Sequence, residues 1–88
     1  MNNETIVADG IRMRWEKGIQ YYEAYLYQDL FGDWVLTRAW GRRGLRGGRI
    51  VHTACGSYNC AKQQLTTVQE QQERRGYMLV LNLIIDRP

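Results

Sequence analysis

The spacing of apolar residues changes period twice along this chain, and those two changes constrain its fold more than any other feature. In three stretches between residues 11 and 40 apolar positions recur every second residue. Ile11, Met13 and Trp15 alternate with Arg12, Arg14 and Glu16, the period of a half-buried strand. Gly18 marks a turn. A second strand is expected from Tyr21 to Asp29, with Tyr22, Ala24 and Leu26 on one side and Tyr21, Glu23, Tyr25 and Tyr27 on the other. Phe31-Gly32-Asp33 reads as a hairpin turn. A third strand, Trp34 to Trp40, puts Trp34, Leu36, Arg38 and Trp40 on one face and Val35, Thr37 and Ala39 on the other. Arg49 to Cys55 makes a fourth.

At Gly56-Ser57 the period lengthens. Ser57 suits a helix N-cap. From there Tyr58, Ala61, Leu65, Val68 and Gln72 fall on one helical face. Arg74 and Arg75 stand in the last turn, where cations suit the carbonyl end. Gly76 is placed to terminate the helix. Tyr77 to Ile85 returns as a final apolar strand. The expected class is α+β, an antiparallel sheet of about five strands with one helix on a face, in the order β-β-β-β-α-β. Residues 11–85 form a single domain in this reading, with tails at 1–10 and 86–88.

Between the third and fourth strands lies Trp40-Gly-Arg-Arg-Gly-Leu-Arg-Gly-Gly-Arg49. Composition matters here. The chain has a formal charge of +3 and a pI of about 9.1, too mild to name a partner by itself. Of its twelve basic residues only Lys17 and Lys62 are lysine. Five arginines lie between Arg38 and Arg49, with no acidic residue among them. A guanidinium is a planar fork suited to phosphate and to stacking. Glycine lets backbone approach a ligand closely. The loop lacks the Lys-Ser/Thr of a phosphate-binding P-loop, and no helix starts at it as a dinucleotide fingerprint requires.

Other classes find less support. The longest apolar run, Met78 to Ile85, is too short to span a bilayer. The first residues have neither the basic nor the apolar region of an export signal, so a cytoplasmic location and reduced thiols are the expectation. His52, Cys55 and Cys60 offer three soft metal ligands, but a structural zinc site wants four, and structural thiols are the simpler reading. No metal and no cofactor is expected. His52 is the single histidine and the carboxylates are scattered, so no acid–base pair and no enzyme is expected.

The ordered set Tyr22, Trp34, Trp40-Gly41-Arg42, Gly44, Gly48, Ala61 and Gly76-Tyr77 resembles the WGR domain family, over roughly Ile11 to Val80. The chain departs from the family at Arg43, where an aliphatic residue is usual, and at the helix end Gln71-Gln72-Glu73-Arg74-Arg75, which is lysine-rich in relatives. The resemblance implies a non-catalytic domain like those of DNA-dependent poly(ADP-ribose) polymerases, which bind DNA near strand breaks, and most nearly the small stand-alone bacterial members.

By that resemblance Trp40 would cover the sugar or base of a terminal nucleotide and Arg42 would approach a backbone phosphate. Arg43, Arg46 and Arg49 would rim the phosphate path, and Tyr77 would reach the same surface. Each has a plainer reading: Trp40 in the core, Arg42 closing the turn, the other arginines solvated, and Tyr77 stapling the helix to the sheet. The leading expectation is DNA binding at the backbone and at strand ends or breaks, with little sequence choice. The rival is a protein-interaction adaptor docking through the WGR surface or the tyrosine face of Tyr21, Tyr25 and Tyr27. A metal-sensing module at His52, Cys55 and Cys60 comes third.

Overall fold

The computed structural model describes residues 9–85. The tail expected at 86–88, most of that expected at 1–10, and the export-signal reading of the first residues fall outside them. The elements run β1 (Gly10–Lys17), β2 (Gln20–Gln28), β3 (Trp34–Arg42), β4 (Arg49–Cys55), α1 (Tyr58–Arg74) and β5 (Met78–Ile85). This is the expected order, β-β-β-β-α-β, with one five-stranded antiparallel sheet ordered β4-β3-β2-β1-β5. No helix among the described residues is long and apolar enough to cross a membrane.

The alternation sorts side chains as the sequence predicts. Ile11, Met13, Trp15, Tyr22, Ala24, Leu26, Leu36 and Cys55 are buried from the sheet, and Ala61, Leu65 and Val68 are buried from the helix. Burial of this kind contributes about 25 cal/mol per Å² of apolar surface removed from water. The helix lies mainly over β2 and β3.

Both helix ends are closed. Ser57 accepts from the Cys60 backbone N–H at 3.1 Å. At the other end Gly76 adopts φ +90°. Its N–H donates to the Glu73 carbonyl at 3.1 Å, and the Tyr77 N–H donates to the Gln72 carbonyl at 2.9 Å. These two bonds form a Schellman closure. In the β2–β3 hairpin the Asp29 carboxylate accepts from the Phe31 and Asp33 N–H groups, each at 2.9 Å.

Two features differ from the sequence reading. Strand β3 continues to Arg42 rather than stopping at Trp40, with Gly41 opposite Tyr21 and Arg42 opposite Gln20. Gly41-Arg42 is therefore strand, and the turn starts at Arg43. Glycine is tolerated there because other groups crowd it. A Cβ on Gly41 would lie 3.1 Å from the Gly48 Cα and 3.2 Å from the Tyr21 hydroxyl.

The second is β5. It is apolar as expected, yet every residue in it is exposed. Among the described residues it is an edge strand paired with β1 alone, and α1 lies mainly over β2 and β3 instead. Its pairing with β1 shifts register between Arg14 and Trp15, which leaves Val80 without a partner, as in a bulge.

Candidate nucleic-acid interface

An aromatic ladder leads from the core to one end of the sheet. Trp15, fully buried on β1, meets the Tyr22 ring edge-on at 6.1 Å. Tyr22 then stacks face to face on Trp40, with centroids 5.5 Å apart and planes 6° from parallel. The ladder follows from pairing, since Trp15 is opposite Tyr22 and Tyr22 is opposite Trp40. Trp40 thus has the core contact of its plainer reading. It packs against the core cluster while remaining partly exposed, and it lines a cavity.

That cavity has a volume of about 470 Å³, the size range of small-molecule sites. Strands β2 and β3 supply Tyr22, Trp40 and Arg42, and α1 supplies Gln72 and its C-cap residue, Arg75. Arg38 and Tyr77 complete the side relevant to charge. The helix ends here because Gly76 reverses the chain, and the same reversal places Tyr77 at the cavity. The Tyr77 hydroxyl donates to the Gln20 Oε1 at 3.1 Å.

The electrostatics of the cavity follow from where the acids are not. The ion pairs among the described residues involve Arg12, Arg14 and Arg43 with Glu16 and Glu23. Arg14 is held more firmly protonated than usual, first by its bond to Glu23 and also by Glu16, against a desolvation cost. All of this lies on the sheet face away from the helix. Arg38, Arg42 and Arg75 line the cavity with no acidic residue in its wall and no ion pair among the described residues. The Arg38 guanidinium sits 5.9 Å from the Trp40 ring centroid, within reach of a cation–π attraction.

Of the residues singled out from sequence, Trp40, Arg42 and Tyr77 come together here. Arg43, Arg46 and Arg49 do not line the cavity. Arg43 is turned the other way: it donates to the Gly18 carbonyl at 2.9 Å and pairs with Glu16 at 3.5 Å, which ties the loop to the β1–β2 turn. Arg46 is exposed in the loop. Arg49 is exposed opposite Trp40 on the edge strand β4. Sequence reasoning missed Arg38 and Arg75 as members. Arg38 had a signal, because it shares the alternating face of Trp40. Arg75 had none beyond its place near the helix end.

Gly48 explains part of the loop's shape. A Cβ there would lie 2.8 Å from the Trp40 carbonyl oxygen and 2.9 Å from the Tyr21 hydroxyl. The loop returns so close to the Trp40 backbone that only a hydrogen fits. Gly44 and Gly47 serve differently, through φ values of +76° and +93°.

The remaining candidates disperse. Tyr25 and Tyr27 pack on each other at 4.8 Å, while the Arg14 guanidinium sits over the Tyr21 ring at 4.6 Å and the half-buried Tyr21 also borders the cavity. No three His, Cys, Asp or Glu residues cluster as metal ligands among the described residues. His52 Nδ1 instead lies 2.7 Å from the Thr37 Oγ1, on a strand face opposite to that of Cys55. Both thiols are free. Burial, helped by the nearby Cys60, pushes the Cys55 thiol pKa up.

Comparison with curated proteins and with solved structures gives no match. A family model for the WGR domain, a non-catalytic domain family, matches residues 14–82. That span runs from β1 into β5 and contains the aromatic ladder, the loop and the helix, and the chain belongs to the WGR domain family.

Proposed function

We propose that the chain is a non-catalytic DNA-binding domain that grips the phosphate backbone and prefers strand ends or breaks, with little sequence choice. The observation that carries this is the convergence of Arg38, Arg42 and Arg75, none with an acidic partner among the described residues, around the stacked Trp40 in one cavity. Guanidiniums without carboxylates nearby suit phosphate oxygens. One face of Trp40 is held by Tyr22, which fixes the ring's plane before any ligand arrives. A preset flat ring covers a sugar or base that is exposed, and a terminal nucleotide exposes one where continuous duplex does not. The contact is indifferent to sequence, because every base has a π-face. Arg46 and Arg49 extend the positive rim beyond the cavity.

The test compares blunt, nicked, single-stranded and closed-circular DNA across a salt series. Affinity is expected to fall steeply with salt, since each neutralised phosphate releases about 0.9 counterion on duplex DNA. Ends and nicks are expected to bind more tightly than the closed circle. Absence of binding to any of these at low salt refutes the reading.

A protein-interaction role is the second reading, and it has its own observation. Met78, Leu79, Val80, Leu81, Leu83, Ile84 and Ile85 are all at least one-third exposed on β5. An uncovered apolar edge strand invites a partner. Failure of DNA binding together with capture of a partner that depends on β5 would favour this reading.

A further inference from the structure

The tip of the β2–β3 hairpin holds two apolar side chains that the fold does not use. Leu30 is 101% exposed and Phe31 is 90% exposed. Single exposed apolar residues are ordinary. Here two adjacent ones stand on a turn that polar residues would form as well. The turn is also held in one shape. The Asp29 carboxylate accepts from the Phe31 and Asp33 N–H groups. The Asp29 N–H donates to the Asp33 carbonyl at 2.8 Å, and the Gln28 Nε2 donates to the Gly32 carbonyl at 2.9 Å. A tip fixed in advance loses little freedom on docking.

Charge narrows what the tip docks into. Asp29 and Asp33 flank the apolar pair, and no Lys or Arg occurs from Gly18 to Thr37. Neither acid is in an ion pair among the described residues. Phosphate repels such a tip, so DNA and anionic lipid are poor partners for it. A concave surface with aromatic rings and unpaired cations suits it. The chain itself carries that surface. Trp40 and Tyr77 line the cavity described above together with Arg38, Arg42 and Arg75, which form no ion pair among the described residues. Its volume of about 470 Å³ exceeds that of a leucine and a phenylalanine side chain together. β5 offers apolar surface but no charge.

Tip and cavity do not meet within one copy. The cavity lies at the Gln20 end of β2, and the tip follows Gln28 at the other end. The strand has nine residues, which at about 3.3 Å per residue puts roughly 26 Å between them. The occupant of the cavity is then the tip of a second copy.

We propose that copies of this chain join head to tail, the Leu30-Phe31 tip of one seated in the cavity of the next, with Asp29 and Asp33 facing its arginines. The contact joins unlike surfaces, so it builds rings or open chains. Burying both side chains removes on the order of 300 Å² from the tip, well below a standard interface. Association is therefore weak and grows with concentration. It also closes the cavity, so copies at high concentration shield a site that dilute copies leave open. The inference does not rest on the DNA reading, because it concerns what the cavity holds when no other ligand is present.

Sedimentation equilibrium of the DNA-free chain, from about 10 μM to 1 mM for an interface of this size, tests it. The average mass of wild type is expected to rise with concentration. The double substitution Leu30→Ser, Phe31→Ser is expected to stay monomeric, with affinity lowered by at least about 10- to 100-fold. Arg42→Glu is expected to stay monomeric as well. An equimolar mixture of these two variants is expected to form a one-to-one dimer, because the first keeps an intact cavity and the second an intact tip. Arg75→Glu is expected to act as Arg42→Glu does, and it lies outside the strand, so a fold defect in one variant does not spoil the test.

A wild type that stays monomeric throughout overturns the inference, as does a mixture that stays monomeric. Self-association that survives in the tip variant overturns it and points to β5 instead. Binding of wild type to phosphatidylcholine vesicles through Phe31, without self-association, makes the tip a lipid anchor and overturns it too. So does a lower unfolding midpoint of the tip variant in dilute solution, since the tip then packs on its own chain. None of these outcomes touches the DNA reading, and failure of monomeric wild type to bind DNA refutes that reading alone.

Discussion

Replacing Gly48 with alanine separates crowding from backbone conformation. Gly48 does not have a positive φ, so a left-handed backbone is no reason for glycine there. The reason is space. The added Cβ would lie 2.8 Å from the Trp40 carbonyl oxygen and 2.9 Å from the Tyr21 hydroxyl, whereas ordinary contact starts at 3.4 Å. The loop must withdraw by roughly half an ångström from the strand that carries Trp40. Overpacking of this kind costs about 1–3 kcal/mol. For an 88-residue chain, unfolding entropy of roughly 2.1 cal/mol/K per residue makes each kcal/mol worth about 5 °C. Gly48→Ala should therefore lower the unfolding midpoint by about 5–15 °C. Gly56→Ala is the control, because its Cβ meets nothing within 4 Å and its φ is not positive. It should raise the midpoint by about 2–5 °C through the entropy of the unfolded chain. Thermal unfolding by circular dichroism measures both. Adding Tyr21→Phe to Gly48→Ala removes one of the two clashes and should recover part of the loss. A Gly48→Ala midpoint equal to wild type refutes the close approach of loop and strand.

Leu65→Ala empties a core site that is 2% exposed and should destabilise by about 2–5 kcal/mol in denaturant unfolding; an unchanged midpoint would mean that another helix face packs on the sheet. Trp40→Ala should abolish the preference for DNA ends, worth about five- to a hundred-fold, while leaving weak salt-sensitive binding; a folded variant that still prefers ends refutes the role. Arg42→Ala, Arg38→Ala and Arg75→Ala should each lower the salt slope by about one unit, and Arg43→Ala should leave it unchanged because that guanidinium is held by Gly18 and Glu16. In thiol titration of the folded chain, exposed Cys60 should react first and buried Cys55 only on unfolding. Because the Cys55 pKa is raised in the folded state, folding favours the protonated thiol; that contribution is complete below the ordinary value of 9.0 and declines as pH rises past it, so Cys55→Ala should flatten the alkaline loss of stability.

The elements could be read from sequence because each obeys one clear period. Trp15, Leu26 and Leu65 are each flanked by neighbours that agree with their burial, and Ser57 and Gly76 mark the helix ends by local chemistry. The extension of β3 through Gly41 was not readable, because glycine in isolation reads as a breaker. What places it in the strand is pairing with Tyr21 on β2, distant in sequence, at a spot where Gly48 leaves no room for a side chain. The same limit governs the site. Trp40 and Arg42 announce themselves in one short stretch. Arg75 joins them only because the helix ends over that corner of the sheet. Arg43 looked equivalent to Arg42, yet adjacent residues on a chain leaving a strand point to different places. The exposure of β5 was hidden for a related reason, since its apolar run says only that it is a strand and not how much of it the helix covers.

The strand order also bears on how the chain is made. β1, the first strand described, lies between β2 and β5, so its second neighbour leaves the ribosome after every other element of this sheet. Until β5 emerges, Trp15 lacks its neighbour Leu79 on that side, and the foot of the aromatic ladder is open. The β1–β2–β3–β4 meander can pair locally as it is synthesised, whereas the β1–β5 pairing must close a loop nearly as long as the domain. Nascent chains should therefore seal the core behind Trp15 only once β5 has emerged. A ribosome stalled before residue 78 would display a meander and a helix without a sealed core.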